Sequence, residues 1–332
     1  MLYTDDYLIR LRHLLKGRLE EWGFSPDATL RLINISENAT FLAEEGDRRL
    51  ALRAYRHGYH TAEEIRSELA WIAALRAEGL VATPAPMPGA DGALLREIAH
   101  EGEVLRLAAF AFIPGRSPAP HEDLTGWFHE LGAISARLHA HARGWARPAG
   151  FTRKSWTVET MLGRDGHWGD WRHALGLDAA GQAVLERAQA TIAEALTHYG
   201  QAPHRFGLIH GDLRLANLLV DGRQLRVIDF DDCGFSWNMY DFAAAVSFFE
   251  HEPVVADLAT AWVAGYRGIA LLTAEDEAIL PALVLLRRML LLAWVASHAE
   301  TPTAQEMGAG YTEGAVAMAE RFLSAAGKSV LS

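Results

Sequence analysis

The sequence predicts an α+β protein with two lobes, a small one in which strands accompany a helix and a larger one that is mainly helical. About five strand-like segments, an N-terminal helix and one crossing helix precede Pro114, whereas helical spacing dominates the rest of the chain. The chain has 332 residues, which is enough for about two domains. We therefore expect lobes at 1–113 and 114–332 with a cleft between them, and ligand sites commonly lie in such clefts.

In the first lobe, apolar spacing and turn residues define each element. Leucines recur at helical intervals over 5–22 and predict a helix there. Gly46 and Asp47 separate two apolar runs and suit a tight hairpin. Thr61, followed three residues later by Glu64, has the pattern of a capping box and marks the start of a second helix. The predicted strands lie at 30–35, 39–44, 49–55, 93–98 and 104–113.

Helical spacing returns along most of the second lobe and is interrupted by one short β island. Asp221 and Gly222 separate the apolar runs 218–220 and 225–228, so these runs predict a hairpin. The predicted helices lie at 124–143, 180–199, 239–250, 255–269, 276–298 and 304–326.

The most apolar segment, 279–296, is predicted to be a buried helix of a soluble domain. Pro281, Arg287 and Arg288 interrupt it, and it falls short of the ~20 apolar residues that a membrane span needs. The first 22 residues carry charges throughout and lack the apolar core of a signal peptide. We therefore expect a cytoplasmic protein without a membrane partner.

The composition is that of an ordinary globular protein, with 50% hydrophobic and 22% charged residues. Lys and Arg number 31 against 42 Asp and Glu, which gives a net charge of −11. Nucleic-acid-binding proteins usually have a basic excess, so we expect no nucleic-acid partner. The acidic balance is compatible with a cationic substrate. Cys233 is the only cysteine, which excludes an intrachain disulfide and fits a reducing cytoplasm.

The segment 208–220, Leu-Ile-His-Gly-Asp-Leu-Arg-Leu-Ala-Asn-Leu-Leu-Val, holds the residues with the clearest chemical meaning. Phosphoryl transfer from ATP needs a carboxylate near the acceptor hydroxyl and oxygen ligands that hold magnesium against the phosphates. Asp212 and Asn217, which lie in one loop, can supply the carboxylate and one ligand. Asp229, at the end of the strand that completes the hairpin, can supply the second ligand. The alternative is a capped loop beside an exposed hairpin.

The paired motifs His-Gly-Asp-x-x-x-x-Asn and Ile-Asp-Phe-Asp resemble the aminoglycoside phosphotransferase/choline kinase family, a branch of the protein-kinase-like fold. Within it the sequence is most similar to the homoserine kinase-like members and to the bacterial stress-response Ser/Thr kinase. The resemblance implies a nucleotide-binding lobe with an antiparallel sheet and a helix, and an acceptor site in the helical lobe. It implies ATP and Mg²⁺ as cofactors, a catalytic loop at 208–220 and a metal motif at 227–232. Asp212 would be the catalytic residue, and Asn217 and Asp229 would bind the metal.

The strand-like segment 49–55 carries a second candidate pattern, which concerns the nucleotide. In a strand, Ala51 and Arg53 point to one face. A kinase lobe needs a small residue over the adenine and a cation that reaches the phosphates, usually in the pattern Val-Ala-x-Lys. Arg53 stands where lysine is usual and replaces a compact ammonium with a planar fork. Glu68 matches the glutamate that anchors this cation, and the alternative for the two residues is a surface ion pair.

Two further segments are candidates for nucleotide contacts. The turn 34–41 takes the place of the glycine-rich loop of a kinase. Ser36 and Asn38 can donate hydrogen bonds to phosphate oxygens there, and an ordinary polar turn is the alternative. An apolar strand that runs into Pro-Gly resembles the hinge of the family, at about 110–115. The residues expected to border the adenine at this hinge are Phe110, Phe112 and Ile113.

Several other residues have competing interpretations. The resemblance implies that His210 orders the catalytic loop, that Asp241 braces it and that His139 is structural. Arg214 can meet either a developing phosphate charge or an anionic acceptor. Asp231 is a second metal ligand, a carboxylate on the acceptor side or a loop-ordering residue, and we expect Asp232 to be a solvated charge. Four tryptophans border either the acceptor or the core: Trp156, Trp168, Trp171 and Trp237.

The leading functional hypothesis is an ATP- and Mg²⁺-dependent O-phosphotransferase. Its acceptor would be the hydroxyl of a small molecule, such as an amino alcohol, a homoserine-like metabolite or an antibiotic. A protein Ser/Thr kinase of the bacterial stress-response type is the first alternative, because the turn with Ser36 and Asn38 resembles that branch. A nucleotide-binding pseudokinase is the second, because Arg53 replaces lysine and the glycine-rich loop is missing. Neither the acceptor nor the oligomeric state follows from the sequence.

Overall fold

The computed structural model describes residues 4–35, 37–299 and 301–329, which divide into two structural units. The first unit holds the described residues up to Gly115 together with Ala146–Arg153. The second unit holds Arg116–Trp145 and the described residues from Lys154 onward. The segment Ala146–Arg153 therefore belongs to the first unit, although it lies in the range that the sequence analysis assigns to the second lobe.

An antiparallel sheet forms the centre of the first unit. Its strands are β1 (Thr29–Ile35), β2 (Ala39–Glu45), β3 (Arg48–Tyr55), β4 (Pro86–Met87), β5 (Leu95–His100) and β6 (Glu103–Ala111). The order along the sheet is β1-β2-β3-β6-β4, and β5 also pairs with β6. Every pair is antiparallel, which confirms the predicted class of sheet. The short strand β4 was not predicted, because its Pro-rich surroundings have the composition of a turn.

The helix α1 (Asp5–Lys16) is shorter than the predicted helix over 5–22. It ends just before Gly17, and the chain then makes a separate 3₁₀ turn at Leu19–Trp22. Glycine is a poor residue for a helix interior because it loses more backbone freedom than any other residue. Three leucines from this region are fully buried in a core shared with the sheet: Leu11, Leu15 and Leu19.

The helix α2 (Ala62–Ala77) begins as the sequence predicts. The Glu64 amide donates to Thr61 Oγ1 at 3.2 Å, and the Thr61 amide donates to Glu64 Oε2 at 2.8 Å. These reciprocal bonds are the predicted capping box, which satisfies amides that have no partner within the helix. The apolar stripe that follows is buried: Ile65, Leu69, Ile72 and Leu75.

Helices dominate the second unit. They are α3 (Thr125–Gly144), α4 (Val158–Leu162), α5 (Ala179–Tyr199), α6 (Tyr240–Ala245), α7 (Val255–Arg267), α8 (Ala274–Ala278), α9 (Leu280–Ser297) and α10 (Pro302–Ser329). The helix α6 is shorter than the predicted 239–250, and soon after its end Phe248 takes a non-helical φ of +76°. The helix predicted at 276–298 is divided into α8 and α9. Within α10 the backbone leaves helical geometry at Gly308.

Two small antiparallel sheets accompany these helices. Their strands are β7 (Phe206–Ile209), β8 (Leu218–Asp221), β9 (Gln224–Val227) and β10 (Gly234–Trp237). The pair β8–β9 is the hairpin that the sequence predicts around Asp221 and Gly222. The pair β7–β10 was not predicted, because these four-residue strands lie on either side of the β8–β9 hairpin and no turn joins them directly.

The helix α9 is a buried core helix, as the apolar segment predicts. Within the described residues one segment, Ala274–Ser297, is long and apolar enough to cross a membrane, but 83% of its apolar window is buried inside the protein. Core helices pass the same test of length and composition, so this is weak evidence for a membrane span. Arg287 and Arg288 lie on this helix and are buried with it.

Candidate active site

The loop 210–217 follows β7 and carries the candidate catalytic residues. Ile209 at the end of β7 pairs with Gly234 of β10. Gly211 has a φ of +81°, and a Cβ at this position would lie 2.8 Å from the carbonyl oxygen of Asp232. A larger residue would therefore be strained and would collide with the backbone. The close approach brings the loop after β7 against the segment before β10.

Asp241 of α6 holds this loop through hydrogen bonds. Its carboxylate accepts from the Gly211 amide at 2.7 Å and from the His210 amide at 3.4 Å. It also bonds His139 Nε2 at 2.9 Å, and His139 Nδ1 lies 3.1 Å from Tyr266 Oη. The side chains of Asp241 and His139 are fully buried, so water does not compete for these bonds. Helices α3, α6 and α7 thus brace the loop in the manner that the family resemblance implies for Asp241.

His210 connects the two candidate motifs. Its Nε2 lies 3.1 Å from the Ile228 carbonyl, and since a carbonyl only accepts, this nitrogen carries a proton. Its Nδ1 then accepts from the Asp212 amide at 3.2 Å. Burial lowers the pKa of His210 below its ordinary value, so the ring is neutral at pH 7. His210 therefore orders the loop through both ring nitrogens.

Asp212, the candidate catalytic residue, lies among three donors. Its Oδ2 accepts from Asn217 Nδ2 at 2.6 Å and from Arg214 Nε at 3.2 Å. Its Oδ1 accepts from Arg287 Nη2 at 2.5 Å. Burial acts to raise the pKa of Asp212, but the charges of Arg214 and Arg287 outweigh it and hold the pKa below its ordinary value. The carboxylate is therefore ionised at neutral pH and able to accept a hydrogen bond from a hydroxyl group.

Asn217 and Asp229 are the two candidate metal ligands, and the backbone brings them close to each other. Asn217 Nδ2 donates to Asp212 at both the backbone oxygen (2.9 Å) and Oδ2, which directs the amide oxygen to the opposite side. The Asn217 carbonyl accepts from the Ile228 amide at 2.9 Å, so the two candidate ligands lie at the same end of the β8–β9 hairpin. Asp229 has a φ of +64°, a strained geometry that is frequent at functional sites. An amide oxygen and a carboxylate fit Mg²⁺, which prefers oxygen ligands.

The residues after the metal motif are buried. Asp232 is 8% exposed, so the expectation of a solvated charge is wrong. Its carbonyl accepts from Trp156 Nε1 at 2.9 Å and lies against Gly211, a proximity that sequence spacing does not reveal. Asp231 and Cys233 are buried as well. All four tryptophans named above are buried, as core packing requires: Trp156, Trp168, Trp171 and Trp237.

Arg287 belongs to the site although the sequence analysis did not assign it there. It lies on α9, 75 residues from Asp212, and its guanidinium also donates to Tyr240 Oη at 3.2 Å and Ser247 Oγ at 3.0 Å. Its Cζ lies 5.1 Å from the Trp168 ring. Burial acts against its charge, but Tyr240 and Asp212 outweigh this and raise its pKa above the ordinary value. The sequence did contain a signal for this contact. An arginine inside an apolar helix is buried with it and therefore needs a buried partner of opposite charge.

In the first unit, β3 and α2 hold the predicted ion pair. Arg53 Nη1 donates to Glu68 Oε1 at 2.8 Å, and the side chains are 10% and 0% exposed, so the surface ion-pair alternative is wrong. Tyr55 Oη donates to Glu68 Oε2 at 3.1 Å. Ala51 of β3 pairs with Phe110 of β6, and the Arg53 guanidinium lies 5.1 Å from the Phe110 ring. The structure therefore brings four candidate nucleotide residues together on β3, α2 and β6.

The other nucleotide candidates lie in two connecting segments. Ser36 lies outside the described residues. Asn38 is buried, and its Oδ1 accepts from the Arg56 amide at 2.9 Å, so this oxygen holds the turn against the end of β3. Phe112 and Ile113 follow β6, which ends earlier than the predicted strand, and both are half-buried.

A buried Arg–Glu pair in a β-rich unit and a braced Asp-Asn-Asp arrangement in a helical unit are the parts of a protein-kinase-like phosphotransferase. The chain belongs to the phosphotransferase enzyme family, whose profile matches residues 29–274. This confirms the family and the bilobal fold class that the sequence motifs predict. The protein is thus an enzyme that transfers phosphate to a hydroxyl group of a small molecule.

Known proteins resemble this chain over most of its length. A microcompartment-associated aminopropanol kinase has a TM-score of 0.88 and 44% identity, over 94% of this chain and 98% of that one. The amicoumacin kinase hAmiN, solved with AMP-PNP, Ca²⁺ and Ami, has a TM-score of 0.76 and 20% identity, over 93% and 95% of the chains. The second likeness supports the fold alone. An uncharacterized protein of Deinococcus radiodurans is 28% identical over 303 residues, 89% of this chain and 84% of its own.

Proposed function

We propose that this protein transfers the γ-phosphate of ATP to the hydroxyl of a small amino alcohol, with Mg²⁺ as the metal. The observation that carries the proposal is the 44% identity to an aminopropanol kinase, which extends over nearly all of both chains. The net charge of −11 is compatible with a cationic acceptor. We place the enzyme in the cytoplasm, with no membrane or nucleic-acid partner.

In this proposal Asp212 orients the acceptor hydroxyl and accepts its proton as the phosphoryl group is transferred. Asn217 and Asp229 would hold Mg²⁺, which when bound neutralises negative charge on the phosphates. His210 and Asp241 keep the loop in place, so the carboxylate does not have to reorganise during the reaction. Most of the rate acceleration then comes from alignment and from fixed charges, with no covalent intermediate.

We assign nucleotide binding to the first lobe, 1–113, with the hinge at about 110–115. Arg53 would meet the phosphates, and its position is set because Glu68 accepts from it and is itself held by Tyr55. The residues proposed to contact the nucleotide are Ser36, Asn38, Ala51, Arg53, Glu68, Phe110, Phe112 and Ile113.

The identity of the acceptor is tested by measuring the rate of ADP release from ATP with each member of a panel of hydroxyl compounds. The panel contains 1-amino-2-propanol, ethanolamine, choline, homoserine, an aminoglycoside and a generic protein substrate. We expect the highest kcat/KM for 1-amino-2-propanol or ethanolamine, the two panel members that have a primary amine and no carboxylate or sugar ring. A higher value for the aminoglycoside or homoserine would replace the amino alcohol as the acceptor. Phosphorylation of the protein substrate alone would favour the protein-kinase alternative.

The catalytic assignment is tested with Asp212→Asn and with metal removal. We expect kcat to fall about 10²- to 10⁴-fold in the variant, the usual contribution of a positioned acid–base group. ATP should still stabilise the variant against heat when Mg²⁺ is present, because nucleotide binding does not depend on Asp212. Turnover within a few-fold of the unmodified enzyme would contradict the role of Asp212. No Mg²⁺-dependent stabilisation by ATP would favour the pseudokinase alternative.

A further inference from the structure

Two consecutive arginines lie inside the apolar helix α9. Arg287 and Arg288 are 3% and 2% exposed, and an unpaired charge in such a position is very unfavourable. Arg288 Nη1 donates to Glu250 Oε1 at 2.8 Å, and Arg287 Nη2 donates to Asp212 Oδ1 at 2.5 Å. Arg288 thus joins structural elements. Arg287 contacts Asp212, the residue to which we assign the chemistry.

We propose that Arg287 is a positioning residue for phosphoryl transfer, which holds the carboxylate of Asp212 so that one lone pair of Oδ1 is presented to the acceptor hydroxyl. This inference rests on the proposed function, because it requires Asp212 to meet the acceptor. It adds a residue from α9 to the catalytic and metal-binding residues, which the sequence motifs place entirely between 208 and 232.

The hydrogen bonds of Asp212 determine which lone pair is left for the acceptor. A carboxylate offers about four acceptor positions on its two oxygens. Oδ2 receives two donors, Asn217 and Arg214, whereas Oδ1 receives Arg287. Within the described part of the chain, Oδ1 therefore keeps one position. A hydroxyl that donates there would lie beside the guanidinium, so Arg287 determines both the oxygen used and its direction.

Arg287 is suited to this task because every one of its nitrogens has a partner. Nε donates to Ser247 Oγ, Nη1 donates to Tyr240 Oη, and Nη2 donates to Asp212. The Ser247 hydroxyl in turn donates to a backbone carbonyl of α6 at 2.7 Å, which sets its orientation. A planar guanidinium held in three directions fixes the position of its carboxylate partner. A lysine ammonium cannot reproduce these three directions.

Arg288 provides a matched control on the same helix. Besides Glu250, it donates through Nη2 to the Tyr311 carbonyl at 2.6 Å, and its Cζ lies 3.3 Å from the Tyr311 ring. Tyr311 Oη also donates to Glu250 at 2.9 Å. This cluster joins α9 to α10 and contains none of the residues that we assign to the reaction. Arg288 thus matches Arg287 in burial and in charge pairing, but not in its partner.

The test compares Arg287→Lys with Arg288→Lys in the full-length enzyme, with kcat, both KM values and thermal unfolding measured for each. We expect Arg287→Lys to lower kcat about 10- to 100-fold, as for the loss of one charge-assisted hydrogen bond needed in the transition state. Its KM for ATP should change by less than about threefold, because ground-state nucleotide binding is untouched. Arg288→Lys should lower the unfolding temperature with kcat within about threefold. Equal kcat values for the two variants overturn the proposal.

Chemical rescue and a milder variant keep the test independent of stability. Guanidinium at concentrations far below those that unfold proteins should restore part of the lost kcat of Arg287→Ala, and it should not raise that of Arg288→Ala. Ser247→Ala removes one support of Arg287 without a change of charge, and we expect kcat to fall about threefold to tenfold. Rescue of both alanine variants or of neither, or an unchanged kcat in Ser247→Ala, overturns the proposal.

Asp212→Asn separates the two possible failures. If this variant keeps its turnover, the proposed function of Asp212 is wrong and the positioning role of Arg287 falls with it. If it loses turnover while Arg287→Lys is fully active, the proposed function stands and only the positioning role is refuted.

Discussion

The buried carboxylate of Asp241 allows a quantitative test of how the catalytic loop is held. Asp241→Ala removes the acceptor of the Gly211 amide at 2.7 Å and of His139 Nε2 at 2.9 Å, together with the longer contact to the His210 amide. Each buried donor left without a partner costs about 1–3 kcal/mol, so the two short bonds predict a loss of about 2–6 kcal/mol in the free energy of unfolding.

Urea unfolding followed by tryptophan fluorescence measures this loss directly. In a thermal melt, an unfolding entropy of about 2.1 cal/mol/K per residue gives about 0.7 kcal/mol/K for 332 residues, so we expect the unfolding temperature to fall by about 3–9 °C. We also expect kcat to fall more than about tenfold, because the displaced loop carries Asp212 and small misplacements of reacting groups are costly.

Asp257 provides the control, since it is an exposed aspartate in the first turn of α7. Asp257→Ala should change the free energy of unfolding by less than about 1 kcal/mol, the usual contribution of a charge at a helix start. A double-mutant cycle of Asp241→Ala with His139→Ala should give a coupling of about 0.5–3 kcal/mol, because the two side chains are in contact. Strict additivity, or a loss below about 1 kcal/mol for Asp241→Ala alone, would refute the bracing role.

Two further predictions concern the first unit. Arg53→Lys keeps the charge but not the planar fork, so we expect the KM for ATP to rise about threefold to tenfold in the ADP-release assay. Arg31→Lys, at an exposed arginine of β1, is the control, and an unchanged KM in Arg53→Lys would contradict the nucleotide assignment. Burial acts to raise the pKa of Glu64, but hydrogen bonds from His60 and the Thr61 amide outweigh it and lower the pKa from 4.5 to about 2. Because the folded pKa is the lower one, Glu64 stabilises the fold above pH 4.5, and this contribution is lost as the pH falls towards 2. Urea unfolding should therefore show Glu64→Gln less stable than the unmodified protein at pH 7, with the difference closing between pH 4.5 and 2; a difference that does not vary with pH would refute this account.

Secondary-structure elements with a strong local sequence signal were predicted correctly, whereas elements with a weak local signal were missed. The capping box of Thr61 and Glu64 and the Asp221–Gly222 hairpin each depend on residues only a few positions apart. The short strand β4 and the pair β7–β10 are stabilised mainly by partners distant in sequence, which local propensity does not include. The end of α1 before Gly17 was missed for a different reason. The glycine is a local stop signal, but the leucines recur at helical spacing on both sides of it and predicted one continuous helix.

For the candidate site, the sequence by itself was enough to nominate Asp212, Asn217 and Asp229, because the spacing within two adjacent loops carries the family pattern. Only the tertiary structure decided that Arg287 contacts Asp212 and that Arg53 and Glu68 form a buried pair. The physical reason is one of range. Backbone geometry sets the spacing of near neighbours, so their pattern can be recognised along the chain. The partner of a side chain 75 residues away depends on how α9 packs against the catalytic loop, and that follows from the burial of whole apolar faces.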